Sequence, residues 1–243
     1  MTTAAHACDL LELSEQFSAE QALKWAFDTY YPAIAIASAF GAEGIVTIDI
    51  AAKICPDLPV FTVDTELLFP ETLELIGRVE ARYGIQVQQV RAAAEEKNGV
   101  EPELWMRNPD LCCQVRKLEP LRRKLARLRA WITSIRRDQT ATRKSAGKIE
   151  WDSKFQLTKI NPLADWTSEM VWHYIHKHGL DYNRLHDQGY PSIGCTPCTR
   201  PVRPGEDPRA GRWSGRAKTE CGMHERHGDG LAPIHPSQLP ACK

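Results

Sequence analysis

Two cysteine groups carry the strongest chemical signal in this 243-residue chain. One is the adjacent pair Cys112-Cys113; the other is Cys195-Thr196-Pro197-Cys198. Thiols gathered in this way serve as disulfide partners, metal ligands or redox groups. Adjacent cysteines suit a single zinc ion poorly, because structural zinc sites space paired ligands two to four residues apart. A polynuclear iron–sulfur centre relaxes that limit, since each thiolate takes its own iron. Zinc, a disulfide and buried core cysteines remain open as alternatives.

A second centre lies near the C-terminus, in Lys218-Thr-Glu-Cys-Gly-Met-His224. Cys221 there has Lys218 and His224 close by, with Arg209, Arg212 and Arg216 upstream. Positive neighbours lower a thiol pKa and also attract an anionic electrophile. A third feature is cationic: residues 116–148 hold twelve Lys and Arg against Glu119 and Asp138, a local excess of ten charges in a chain whose net charge is zero. That excess calls for an anion nearby, although part of it is solvated helix surface.

The elements that position these residues read as alternating strands and helices. Residues 14–30 have helical spacing, closed by Pro32. Residues 34–40 form a continuous apolar run that suits a strand buried on both faces. Gly41-Ala-Glu-Gly44 breaks it before a helical pattern over 45–54. Strand, glycine turn and helix together aim backbone N–H groups at a phosphate, with Ser38, Gly41 and Gly44 as the cradle. No Gly-Lys-Ser/Thr follows, so this is not a P-loop. A second strand over 59–64 ends at Asp64 and Thr65, and a helix opens at Pro70 and stops at Gly84. Asp64 stands where open α/β sheets bind ligands, or else serves as a turn residue.

Strands over 85–90, 131–135 and 156–160 follow, together with an amphipathic helix over 115–128 and another from Thr167 or Ser168 to His176. His173, His176 and His178 on that last helix read as ordinary packed or surface residues. The loop Arg136-Arg137-Asp138-Gln139 to Arg143 can grip a phosphate or sulfate through forked hydrogen bonds. The expected fold is therefore α/β, a mostly parallel sheet covered by helices on both faces. Residues 1–198 read as one α/β domain that holds the glycine turn and both cysteine groups. Residues 199–243, with six of the sixteen prolines and six of the fifteen glycines, read as a loop-rich, mobile tail that carries Cys221. No basic-then-apolar leader opens the chain and no apolar run approaches a membrane span, so it reads as cytoplasmic, with cysteines kept reduced.

These motifs together resemble the sulfonucleotide reductases of assimilatory sulfate reduction, over nearly the whole chain. Ser38-Ala-Phe-Gly-Ala-Glu-Gly44 resembles their phosphate-binding loop, Val63 to Thr72 their second nucleotide segment, and Arg136 to Arg143 their arginine loop. Glu220-Cys-Gly-Met-His224 is similar to their catalytic Glu-Cys-Gly-Leu-His, with a volume-conserving methionine. The resemblance implies a nucleotide-hydrolase-like (PP-loop type) fold and substrate binding by Ser38, Phe40, Gly41, Glu43, Gly44, Asp64, Thr65, Lys117, Arg136, Arg137, Gln139 and Arg143. It implies catalysis by Cys221 with Arg209, Arg212, Glu220 and His224. Filled positions at Cys112, Cys113, Cys195 and Cys198 imply one [4Fe–4S] cluster and the subclass that reduces adenosine 5′-phosphosulfate (APS). Cys8, Cys55 and Cys242 match nothing in the family pattern.

In the chemistry so implied, Cys221 attacks the sulfur, AMP leaves and thioredoxin releases sulfite from the enzyme adduct. The implied partners are APS and thioredoxin, with a homo-oligomer possible and neither membrane nor nucleic acid involved. Three other readings stay open: reduction of the 3′-phosphorylated substrate (PAPS), an ATP-dependent tRNA thiolase, and a zinc-stabilised nucleic-acid binder.

Overall fold

The computed structural model describes residues 13–97, 101, 103–218 and 220–224. Helix α1 (Ala19–Tyr30) begins at a capping box, in which the Ser18 side chain accepts from Gln21 N while the Gln21 side chain accepts from Ser18 N. Strand β1 (Ile34–Ala37) and helix α2 (Ala42–Ala52) follow, then β2 (Val60–Val63), α3 (Pro70–Tyr83) and β3 (Val87–Val90). Pro70 stands in the first turn of α3, and Gly84 closes it in the left-handed conformation at φ 64°. The chain continues through the short α4 (Leu104–Arg107) and α5 (Pro109–Cys113), a π-helical turn (Gln114–Leu118) and α6 (Glu119–Leu125). Strands β4 (Ala130–Ile132), β5 (Ile149–Asp152) and β6 (Leu157–Ile160) precede α7 (Ser168–His178), which Thr167 caps.

The six strands lie in the order β3-β2-β1-β4-β6-β5, all parallel except β5, which runs antiparallel to β6. Alternate residues of each strand bury opposite faces. Ile34 and Ile36 join Leu23, Ile45, Leu75 and Val171 on the face covered by α1, α2, α3 and α7. Ala35, Phe61 and Trp131 face the other way, against Leu121 and Leu125 of α6 and Met223 of the tail. The tail thus closes one layer of the core.

Five of the six strands and the α3 and α7 segments lie where the sequence pattern puts them, whereas α1 starts at Ala19 rather than Ser14 because Ser18 caps it. Helix α2 starts at Ala42 rather than residue 45, because the turn is completed by Ser38 and Gly41. The edge strand β5 was not anticipated. Its Glu150 pairs with Lys159 of β6 at 3.2 Å with both side chains buried, so its polar residue faces inward rather than out. The helix expected over 115–128 begins earlier and is interrupted by the π turn. Among the described residues, no helix is long and apolar enough to cross a membrane. Cys8, Cys242 and residues 225–243 lie outside the described residues.

Candidate active site

The chain runs outward from β1 through β2 to β3, then returns to place β4 on the other side of β1. Such a switch point opens a crevice at the carboxyl ends of the two strands. The loops that leave β1 and β4 are the glycine turn 38–44 and the arginine loop 136–143, and both line a cavity of about 770 Å³.

The glycine turn is held tightly. Ser38 Oγ accepts from Phe40 N at 3.0 Å, and Phe40 is fully buried with φ at 56°. A Cβ on Gly44 would stand 2.5 Å from Ser38 Oγ, so only glycine lets helix α2 come this close. From the first turn of α2, Glu43 Oε1 accepts from Arg136 Nε at 3.1 Å and Gln139 Nε2 at 3.0 Å. The Gln139 carbonyl accepts in turn from Arg143 Nη1 at 2.6 Å.

The tail completes this chain of contacts. Glu220 Oε2 accepts from Arg143 Nη2 at 3.0 Å and lies 3.3 Å from Arg209 Nη2. Glu220 is buried, and its other oxygen has no protein partner. Beside it Cys221, 7% exposed, lines the cavity together with His224. Lys154 Nζ donates to Gly222 O at 2.7 Å, and His224 stacks on Trp131 with ring centroids 5.7 Å apart. Burial pushes the His224 pKa well down, and Lys159, Arg143, Arg209 and Lys154 push it further, so the ring is neutral at pH 7.

The opposite wall holds the other cysteines. The π turn follows Cys113 and carries the buried Lys117 into the cavity. A π turn inside a helix often marks a functional site. Trp213 packs with Cys113, Cys198 and Cys221. Three cations surround its indole, Arg212 at 4.6 Å, Lys218 at 5.6 Å and Lys117 at 5.8 Å. Burial alone would lower the Lys117 pKa. Thiolate charge at Cys195, Cys221 and Cys113 outweighs it and holds the ammonium above its usual range. Burial lifts the thiols of Cys112 and Cys198, with Cys195's charge adding to both and Cys198's to Cys112, and lifts Cys113 to about 11. The β2 loop is stapled to this wall, with Thr65 Oγ1 3.2 Å from Cys195 Sγ and Arg116 Nη1 donating to Thr65 O at 3.0 Å. Among the described residues all cysteines are free, and no three or more His, Cys, Asp or Glu side chains close on a single metal-ion position.

Residues 33–201 match the model of the phosphoadenosine phosphosulfate reductase domain. The chain belongs to that family. An adenosine 5′-phosphosulfate reductase of Halalkalibacterium halodurans is 50% identical over 207 residues, which cover 84% of this chain and 90% of the relative. A phosphoadenosine 5′-phosphosulfate reductase of Gloeobacter violaceus is 46% identical over 216 residues, 86% and 90% of the two chains. The solved phosphoadenylyl-sulfate reductase of Candida auris, a phosphate complex, superimposes with a TM-score of 0.71 at 29% identity, over 81% of this chain and 97% of that one. The mostly parallel sheet is thus the family's nucleotide-hydrolase-like fold.

Within this family member, most of the residues singled out from sequence meet at one cavity. Ser38, Gly41, Glu43, Gly44, Thr65, Lys117, Arg136, Gln139, Arg143, Cys195, Arg209, Arg212, Glu220, Cys221 and His224 all line it. Phe40, Asp64, Arg137, Cys112, Cys113 and Cys198 do not. Phe40 fixes the turn from below. Asp64 accepts from Glu66 N at 2.8 Å and from Arg91 Nε at 2.7 Å, the work of a turn residue. Arg137 turns away to Ala146 O and Glu15. The sequence reading missed Ser192, Trp213 and His186. Ser192 Oγ accepts from Arg212 Nη1 at 3.2 Å and from Arg209 Nη1 at 3.4 Å. Only the tail arginines' need for an acceptor could have flagged it.

Proposed function

We propose that this chain reduces APS to sulfite and AMP in sulfate assimilation, drawing electrons from a thioredoxin-like dithiol in the cytoplasm. The observation that carries the reading is that Cys221 lines the same cavity as the glycine turn, the arginine loop and Arg209. The nucleoside lies at the ends of β1 and β2, with the phosphosulfate toward Arg136, Arg143, Arg209 and Lys117. Those cations offset the repulsion between an anionic substrate and an approaching thiolate.

Cys221 Sγ attacks the sulfo group, a Cys–S–SO3⁻ bond forms, and the S–O bond to AMP breaks with the electron pair leaving on AMP. The segment that carries Cys221 then opens. A thiolate of the donor attacks Cys221 Sγ, sulfite departs with the S–S bonding pair, and the donor's second thiol resolves the mixed disulfide, so two electrons enter.

Cys112, Cys113, Cys195 and Cys198 would hold a [4Fe–4S] cluster. The donor set fits: four free thiols from two segments, sensing one another's charge beside a buried ammonium. Thiolates that each take a separate iron need not meet at one point. When bound, the cluster would supply charge and tie the end of α5 to the Cys195 turn.

A second reading, PAPS as substrate, rests on the name of the Gloeobacter relative. Sulfite release from anaerobically purified protein with thioredoxin, with APS and PAPS in parallel, separates the two. Faster turnover of APS supports the first reading, and faster turnover of PAPS the second. No sulfite from either, with iron and sulfide present, refutes both. Cys221→Ser should keep iron and nucleotide binding and release no sulfite. Cys112→Ser should lose iron.

A further inference from the structure

His186 lies on the 3₁₀ turn Arg184–Gln188, outside every motif used above. The turn is rigidly anchored. Asn183 is fully buried, its side chain accepts from Leu185 N at 3.1 Å, and its Nδ2 donates to Thr72 Oγ1 at 2.9 Å. The imidazole stands edge-on to Trp172 with centroids 5.1 Å apart, and both rings line the cavity. Its position is therefore set by packing rather than by any ligand.

Its hydrogen bonding is incomplete. The Tyr190 backbone raises the ring's pKa, the sense in which its carbonyl would accept from a ring N–H. Nε2 is buried and has no protein partner, so that donor is Nδ1. Burial pushes the ring's pKa down, more than the carboxylate of Glu43 pulls it back. A neutral ring with its proton on Nδ1 presents a bare lone pair at Nε2. A buried acceptor without a donor is costly, and one that lines a binding cavity gains from a donor on a ligand. Phosphate and sulfate oxygens are acceptors and cannot satisfy it.

We infer that His186 is a specificity-determining residue whose Nε2 accepts a hydrogen bond from a donor on the nucleoside, a ribose hydroxyl or the adenine amino group. This rests on the nucleotide reading above and deepens it. The anion end of the cavity is cationic, whereas this corner reads the neutral half of the ligand by its donors. A nucleoside lacking the donor leaves Nε2 unpaired and is disfavoured.

The probe is AMP, titrated into the purified enzyme beside 2′-deoxy-AMP, 3′-deoxy-AMP and IMP, which lacks the amino group. In the wild type one analogue binds about threefold to tenfold more weakly than AMP, the worth of one neutral hydrogen bond. His186→Phe, which keeps the stacking on Trp172, binds AMP weaker by a similar factor and no longer distinguishes that analogue. His186→Gln, which restores an acceptor, recovers part of the discrimination. The ¹⁵N resonance of Nε2 in the wild-type enzyme moves on adding AMP. An H186F enzyme that keeps the wild-type pattern across all four ligands overturns the inference, as does an unmoved Nε2 resonance. If AMP fails to bind the wild type at all, the nucleotide reading falls as well, which separates the two failures.

Discussion

Glu220 occupies Arg143 and Arg209, the two arginines that the proposed reading assigns to the substrate's anion. Its carboxylate bridges Arg143 at 3.0 Å and Arg209 at 3.3 Å, and the incoming phosphosulfate must take both from it. Glu220→Gln keeps the shape and removes the charge. Both arginines stay charged, so each contact remains a hydrogen bond to a charged group and loses only its charge–charge part, about 1–1.5 kcal/mol. Two contacts give about 2–3 kcal/mol, and the competing anion gains at most that much, about 30-fold to 150-fold in affinity. The assay is calorimetric titration of inorganic sulfate at fixed ionic strength, with single-turnover sulfite release alongside. Sulfate should bind E220Q more tightly than the wild type. Release should slow, because the same contacts dock the segment that carries Cys221. Unchanged or weaker sulfate binding in E220Q would refute the reasoning and make Glu220 an aid to the arginines rather than a rival for them.

Gly194→Ala sets a methyl against the Arg212 guanidinium and should move it off Ser192 and the Trp213 ring. The lost contacts amount to about 1–3 kcal/mol, so kcat should fall about tenfold to hundredfold while AMP affinity stays within about twofold. Gly44→Ala forces Ser38 from its bond to Phe40 N; thermal unfolding should show a loss of about 1–3 kcal/mol, and AMP affinity should fall as well. Docking of the tail should fail in acid. His224 resists protonation when buried against Trp131, whereas an unfolded imidazole titrates near about 6.5. The undocked state therefore binds more protons, so docking is complete above about pH 6.5 and is lost as the pH falls through the depressed value. Trp131 fluorescence should report that loss in the wild type and a flatter profile in His224→Asn.

The sheet was legible because β1, β2 and β4 are apolar runs buried on both faces, with Pro32 and Gly41 flanking β1 and Pro59 preceding β2, a pattern independent of distant partners. The edge strand β5 was not, since Glu150 breaks its alternation unless Lys159 is known to lie opposite. The cradle residues could be read from strand–glycine–helix order, but Arg137 could not be told from Arg136. Adjacent arginines look alike in sequence, and a short 3₁₀ turn sends one to Glu43 and the other to Ala146 O. Asp64 was ambiguous for a similar reason, resolved by Arg91. His186 left no signal, because its meaning lies in an unpaired ring nitrogen and not in a motif.

The central claim is that Cys221 itself takes the sulfo group. The most direct measurement is the mass of the anaerobic protein mixed with APS and no reductant, followed by peptide mapping. The account predicts a gain of one SO3 group, confined to the Cys221 peptide and removed by thioredoxin with release of sulfite. A protein that yields AMP and sulfite with no adduct, or with the adduct on another cysteine, would contradict it.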